Sequence, residues 1–286
     1  MEEQSTEVDM AGEGESDFQV ADIKPNIGSI IHADKSALLT GEYTSALRGL
    51  LEARGVLVFP GVHLTDQEQI DFTKTLGNFS REIFGDEIYK VTLDTNENAR
   101  ADYLKGAFYW HIDGTMSETP ILASILSAKV LPATGGNTEF CNTYAAYEAL
   151  SADRQWAIDG LRVKHAFWGS QLYHNPEPTL AKLEEWMALG SKELPLVWRH
   201  RSGRKSLVLG NSAQAVLDVD AEESAKILHG LREWATSEPF FYSHQWQAGD
   251  MVMWDNTGTM HRATPYDPSS GRLMHRTKLE GEEPFQ

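Results

Sequence analysis

Apolar residues recur along this chain with two different periods, and the change from one to the other marks out its elements. Over residues 43–53, Ala46, Leu47, Leu50 and Leu51 share one face at helical spacing, and Gly55-Val56-Leu57-Val58-Phe59-Pro60 then reads as a buried strand. Thr65-Asp66-Gln67-Glu68 is a capping box, which predicts a helix that opens there and closes at Gly77. Residues 121–130 are almost wholly apolar or small, as in a strand buried in a barrel wall, and Leu131-Pro132-Ala133-Thr134-Gly135-Gly136 turns the chain before a strand resumes around Thr138 and Phe140. Helical spacing returns over 143–150, 151–161 and 176–189, the last with Leu180, Leu183 and Trp186 on one face. It returns again over 221–234 with Ile227, Leu228, Leu231 and Trp234. Segments 195–198, 206–209, 252–254 and 272–279 supply later strands.

Composition changes this picture little. A chain of 286 residues, 41% hydrophobic, suits one large β-rich domain. Its formal charge of -17 disfavours nucleic acid and anionic membranes as partners, and no apolar stretch approaches the roughly 18 residues of a membrane span. The lone Cys141 excludes an internal disulfide, and the N-terminus lacks an apolar signal-peptide core, so a cytoplasmic protein is expected. Charge is uneven, however: Glu2, Glu3, Glu7, Asp9, Glu13, Glu15 and Asp17 precede the first lysine, Lys24, which predicts a disordered, solubilising tail over 1–17 and a single folded domain over 18–286.

The chemistry concentrates in two places. In Trp110-His111-Ile112-Asp113-Gly114-Thr115, His111 and Asp113 are two residues apart, so on an extended strand both side chains take the same face and form a clamp for a metal. The best candidate for a third ligand is His261, in Trp254-Asp255-Asn256-Thr257-Gly258-Thr259-Met260-His261-Arg262. Two histidines and one carboxylate with open positions are the usual site of a non-heme Fe(II) oxygenase. The Asp and the distal His lie 148 positions apart, so a sheet must fold back on itself to join them. Beyond His261, Arg272 and Arg276 are four apart in a strand-like segment, share a face, and sit roughly 13 Å from one another at strand rise. Guanidinium forks beside an iron site imply an acidic cosubstrate.

These segments, with Thr134-Gly135-Gly136-Asn137-Thr138 between them, resemble the taurine dioxygenase and phenoxyacetate-herbicide dioxygenase family (TauD/TfdA) in order and spacing, from about residue 40 onward. The resemblance implies a mainly β fold with flanking helices, a double-stranded β-helix or cupin-like jelly roll, with a helical insertion at about 172–192 covering the active site. It implies Fe(II) on His111, Asp113 and His261, with 2-oxoglutarate as cosubstrate and O2 as oxidant, the products being succinate, carbon dioxide and a hydroxylated substrate. It assigns Thr138 and Arg272 to the distal carboxylate of 2-oxoglutarate, and places Arg276 by the iron, against substrate or the cosubstrate's other end.

The sulfonate-binding histidine and asparagine of that family have no counterparts in Gly77-Asn78-Phe79-Ser80-Arg81-Glu82-Ile83-Phe84 or Gly106-Ala107-Phe108-Tyr109, which argues against taurine. Phe79, Phe84, Phe108 and Tyr109, with Gly114, suggest an apolar or aromatic pocket, and Arg276 would take a carboxylate. A small organic acid, aryloxyalkanoate-like or otherwise hydrophobic, is therefore the expected substrate. The expected macromolecular partners are further copies of this chain. His275 faces away from Arg276 and reads as structural; His165, His200 and His244 read as hydrogen-bonded core or surface residues; His32, His63, His174 and His229 are assigned no chemistry. Two other classes stay open: a non-oxidative metal-binding jelly roll acting as hydrolase or isomerase, and a binding protein that has lost catalysis.

Overall fold

In the computed structural model, which describes residues 18–82 and 85–286, the unbroken apolar runs are strands covered on both sides. In Val56–Phe59, Val56 and Val58 point into the space between two sheets, while Leu57 and Phe59 pack under helices. Met251–Asp255 repeats the pattern, with Val252 and Trp254 inward and Met251 and Met253 outward. A strand with one wet face would alternate apolar and polar; these have no wet face.

The larger sheet runs Phe18–Lys24, Ile27–Ala33, Val56–Phe59, Met251–Asp255, Ala123–Val130, Leu273–Leu279 and Phe79–Ser80, with Tyr89–Val91 also paired to the terminal strand. All its pairings are antiparallel except Ile27–Ala33 with Val56–Phe59. The smaller sheet is Phe241–His244, Thr138–Asn142 and Thr259–Ala263. Between them lie Ile27, Val56, Val58, Leu126, Phe140, Trp246, Val252, Trp254 and Met274. This is a jelly roll. Two side elements, the sheet Ala213–Val216, Arg162–Ala166, Ser191–Pro195 and the hairpin Val197–Arg199 with Lys205–Leu207, build a second core with the helix Ala221–Ala235.

The predicted helices form where their periods placed them. Thr44–Arg54 buries Leu47 and Leu51, and Thr65 caps Asp66–Leu76 through the reciprocal bonds with Glu68 that its sequence announced. That second helix lies on the outer face of the terminal strand: the Gln69 amide donates to the carbonyls of Ile125 (3.2 Å) and His275 (3.0 Å), and the hydroxyls of Thr73 and Thr277 pair at 2.7 Å. His275, bonded to Asp66 at 2.8 Å, faces the helix too, so Met274 and Arg276 face inward.

Other elements escaped the sequence reading. Arg162–Ala166, Ala213–Val216, Phe241–His244 and Thr259–Ala263 have only four or five residues each, too few for a period to stand out. The His-x-Asp segment is not the continuous strand expected: His111 makes a single bridge to His261, and Asp113 already begins a turn in which Gly114 takes φ +86°. Within the expected insertion only Leu180–Met187 is helical after the short helix Phe167–Leu172; Trp186 is buried, but Leu180, the first helical residue, is 70% exposed. The tail over 1–17 lies outside the described residues.

Phe72, fully buried, meets Phe59 edge-on at 5.7 Å beneath the larger sheet. Phe72→Ala is expected to lower unfolding free energy by about 3–5 kcal/mol, read from urea denaturation; a loss under 1 kcal/mol would show that this helix is not docked as described.

Candidate active site

The site begins with a backbone pair. The His111 amide donates to the His261 carbonyl (3.0 Å) and the His261 amide to the His111 carbonyl (2.9 Å), which extends the smaller sheet by one residue pair. Residues paired in this way project to the same face, so the two imidazoles stand side by side with centroids 4.1 Å apart. The turn at Asp113 then brings its carboxylate back: Oδ1 lies 3.7 Å from His111 Nε2 and Oδ2 3.8 Å from His261 Nε2. Ligand atoms of the three residues all fall within 4.8 Å of one another, the one such group among the described residues.

Protonation states suit a metal. The Tyr109 carbonyl, 2.9 Å from His111 Nδ1, can only accept, so the proton of a neutral ring sits on Nδ1 and Nε2 keeps its lone pair. Burial above all, with His111 and Arg276 adding and Asp113 opposing, pushes His261 down to about 3, so its ring is neutral near pH 7. Burial works against ionising Asp113, but Arg276, the two histidines and a 3.3 Å bond from Ser124 Oγ hold its carboxyl well below the usual range. The neutral His261 ring, the His111 imidazole and the Asp113 carboxylate, on one side of a cavity, are a donor set for a divalent first-row metal with open positions. The His261 ring is held by Trp254 (4.7 Å) and Phe140 (6.3 Å), while its Nδ1 is buried without a bonded partner.

Arg272 and Arg276 occupy separate places. Arg276 Nη1 donates to Asp113 Oδ2 at 3.1 Å. Arg272, 2% exposed, precedes the strand at a register shift; its Nη2 donates to the Gly136 carbonyl (3.1 Å), its guanidinium lies 4.8 Å from the Tyr266 ring, and its Nε is buried with no acceptor. A Cβ on Gly136 would stand 3.0 Å from that Nε, and one on Gly135 2.2 Å from the Pro265 carbonyl oxygen. Both glycines take φ above +70°, so the pair is needed for conformation and for the arginine's approach. Thr138, buried two residues on, accepts a 3.0 Å bond from Trp246 Nε1.

A cavity of about 280 Å³ opens beside His111 and Asp113, with Phe167, Ile112 and Met116 among its apolar walls and Thr115, Ser212 and Gln171 among its polar ones. Gly114 lines it as expected. Of the predicted aromatics, Phe108 packs edge-on to Tyr266 at 5.9 Å, near Arg272. Tyr109 and Trp110 line a different cavity, with Tyr173, His229 and Arg262, so Tyr109 does not join the expected pocket; Trp110, next to His111 in sequence, takes the other face. Phe79 pairs with Leu279, whose side chain lies under the helices, so Phe79 stands on the helix side rather than in the pocket. Phe84 lies outside the described residues. Ser124, Asn256 and Glu82 went unnoticed: Asn256 Nδ2 donates to Ser124 Oγ (3.1 Å), and Glu82 bonds Arg276 and Lys278. Two cations at alternate inward positions of the terminal strand were the signal that an inward carboxylate had to exist. His200 (with Glu283 and Ser206) and His244 (with Tyr242) are hydrogen-bonded as anticipated.

The description "Taurine catabolism dioxygenase TauD, TfdA family" matches residues 19–278. The chain is 32% identical to the (S)-phenoxypropionate/alpha-ketoglutarate-dioxygenase of Sphingobium herbicidovorans, over 93% of this chain and 96% of that protein. It is 35% identical to the alpha-ketoglutarate-dependent 2,4-dichlorophenoxyacetate dioxygenase of Cupriavidus pinatubonensis, over 79% and 85%. The crystal structure of AAD-2 in complex with Mn(II) and N-oxalylglycine superposes with a TM-score of 0.80 at 30% identity, covering 94% of this chain and 99% of that one. A jelly roll closing around two imidazoles and a carboxylate defines a non-heme oxygenase scaffold, and the chain belongs to the TauD/TfdA family. It is a dioxygenase dependent on Fe(II) and 2-oxoglutarate.

His165 stands behind the cavity wall, fully buried, with Nδ1 2.9 Å from Ser212 Oγ, which lies 3.3 Å from Thr115 Oγ1. Burial pushes its pKa down to about 4. Between that value and the ordinary 6.5 the unfolded chain binds the extra proton, so stability falls as pH drops through this window, by about 3 kcal/mol in full. Equilibrium unfolding at pH 7 and pH 4.5 is expected to show this loss, with His165→Leu reducing it; an equal loss in the variant would assign it to other groups.

Proposed function

We propose that His111, Asp113 and His261 hold Fe(II), that Thr138 and Arg272 receive the distal carboxylate of 2-oxoglutarate, and that Arg276 serves the substrate side. There a small organic acid of aryloxyalkanoate type is hydroxylated. The observation that carries this reading is the convergence of three ligand atoms within 4.8 Å beside a cavity, with a second buried arginine, Arg272, whose Nε lacks an acceptor. When bound, the metal supplies O2 chemistry: the 2-oxo acid loses carbon dioxide and becomes succinate, one oxygen atom going to succinate and the other to the substrate C–H bond.

The chain's own share is positioning. Arg272 is held against the Tyr266 ring and bonded to the Gly136 carbonyl, so a carboxylate approaching its free Nε meets a guanidinium in one orientation. Arg276, with the two histidines and Ser124, favours ionised Asp113 against its burial, so the carboxylate is ready as a donor. Phe140 and Trp254 wall the His261 ring away from water. An acid substrate is supported by the relatives named for phenoxypropionate and dichlorophenoxyacetate, and taurine is disfavoured by the missing histidine and asparagine. A cytoplasmic homo-oligomer is part of the same proposal. Among the described residues no helix is long and apolar enough to cross a membrane, and the exposed Leu180, Met187 and Leu189 offer an apolar strip for another copy.

Succinate formation is the decisive readout, since neither a hydrolase nor a binding protein produces it. His111→Ala, Asp113→Ala and His261→Ala are each expected to abolish Fe(II)-dependent succinate release while circular dichroism stays that of the folded chain; normal turnover in any one removes that residue from the metal. Arg272→Ala is expected to raise the 2-oxoglutarate requirement thirtyfold or more, from roughly 2–5 kcal/mol for breaking a buried charged pair. An unchanged requirement would place the anchor elsewhere.

A further inference from the structure

Arg276 is not free to receive a substrate. Its Nη1 donates to Asp113 (3.1 Å), and its Nη2 lies 3.2 and 3.4 Å from the two oxygens of Glu82, whose Oε2 is also 2.9 Å from Lys278 Nζ. Asp113, Arg276, Glu82 and Lys278 thus form a chain of alternating charge, each side chain less than a fifth exposed. Strand pairing assembles it: Lys278 lies opposite Ser80, which carries Glu82 to the inward-facing side of the terminal strand, and the Tyr89 ring lies 5.0 Å from the Arg276 guanidinium.

The Glu82 contact is incomplete. Both of its oxygens share one guanidinium nitrogen, whereas a carboxylate that fits arginine well makes two parallel bonds from two nitrogens. Arg276 Nε is buried with no acceptor. Glu82, by contrast, has a second and shorter partner in Lys278. We propose that Glu82 is an internal stand-in for the substrate's acid group: it holds Arg276 until a substrate carboxylate takes Nε and Nη2 as a complete fork, and Lys278 then retains Glu82. The inference rests on the reading that Arg276 serves the substrate side. Its consequence is selection by charge, because a neutral analogue brings nothing with which to displace a carboxylate from a guanidinium.

The test is oxygen-free calorimetry on the Mn(II)- and 2-oxoglutarate-loaded protein. The probes are 2,4-dichlorophenoxyacetate and the alcohol in which CH2OH replaces its carboxylate. Glu82→Gln is expected to lower the Kd of the acid about tenfold, a change of about 1.4 kcal/mol, while the alcohol changes less than about twofold. Lys278→Met, which leaves Glu82 no other partner, is expected to raise the acid's Kd severalfold, and the double variant to return to the value of Glu82→Gln alone. This second arm stands even where the first variant folds poorly. The 2-oxoglutarate Kd stays constant throughout. Equal or weaker acid binding by Glu82→Gln, equal gains for acid and alcohol, or no binding of the acid by either protein would overturn the role of Glu82. Failure of the underlying enzymatic reading shows separately, as absence of succinate from the unaltered protein with iron.

Discussion

Burying a carboxylate such as Asp113 costs free energy unless a cation is buried with it, and in this protein that cation is Arg276, four residues past the arginine that faces the other end of the site. The pair does more than neutralise. Because Arg276, the two histidines and Ser124 together outweigh the burial of Asp113, the carboxylate stays ionised where a lone buried acid would take up a proton. A protonated Asp113 offers a metal far weaker donation. The terminal strand is thus an electrical part of the candidate metal site as well as a wall of the jelly roll.

That arrangement needs the two sheets to be held in one register. The helix Asp66–Leu76 fixes the terminal strand from outside through Gln69, Thr73 and the bond of Asp66 to His275, which leaves the alternate residues Met274, Arg276 and Lys278 facing inward. A slip of one residue would send Arg276 out under the helix and bring His275 in. On the opposite sheet the backbone pair of His111 and His261 sets the imidazoles side by side without any contribution from their rings. Stability and catalysis are therefore coupled through strand register.

The neighbourhood of the candidate ligands is unequal in character. On the Arg272 side, two left-handed glycines, a tyrosine face and a buried guanidinium with a free Nε form the proposed cosubstrate anchor. On the Arg276 side the cation is already spoken for. The cavity beside His111 and Asp113 is walled by hydroxyl and amide side chains as well as by apolar ones, a mixed lining compatible with an amphipathic acid.

What this chain reveals without its structure is whatever depends on neighbours along the sequence. The capping box at Thr65, the apolar faces of Thr44–Arg54 and Ala221–Ala235, and the doubly buried runs at 55–60 and 121–130 are all local patterns, and each became the element it predicted. Motif order also placed His111, Asp113, Thr138, His261, Arg272 and Arg276, and the fold brings the three proposed ligands together. The pocket was not legible in the same way. Phe79 and Tyr109 are aromatic in any reading, but the face Phe79 takes follows from the register of a two-residue strand, and the cavity Tyr109 lines from the end of a short 3-10 helix. The alternating chain Asp113, Arg276, Glu82, Lys278 joins residues more than 160 positions apart, and no local pattern records such contacts. Side-chain period is a property of a few consecutive residues, whereas charge pairing belongs to whichever strands the barrel closes against one another. The sequence alone therefore determined the chemistry at hand, and tertiary structure alone decided which charges were left free to use it.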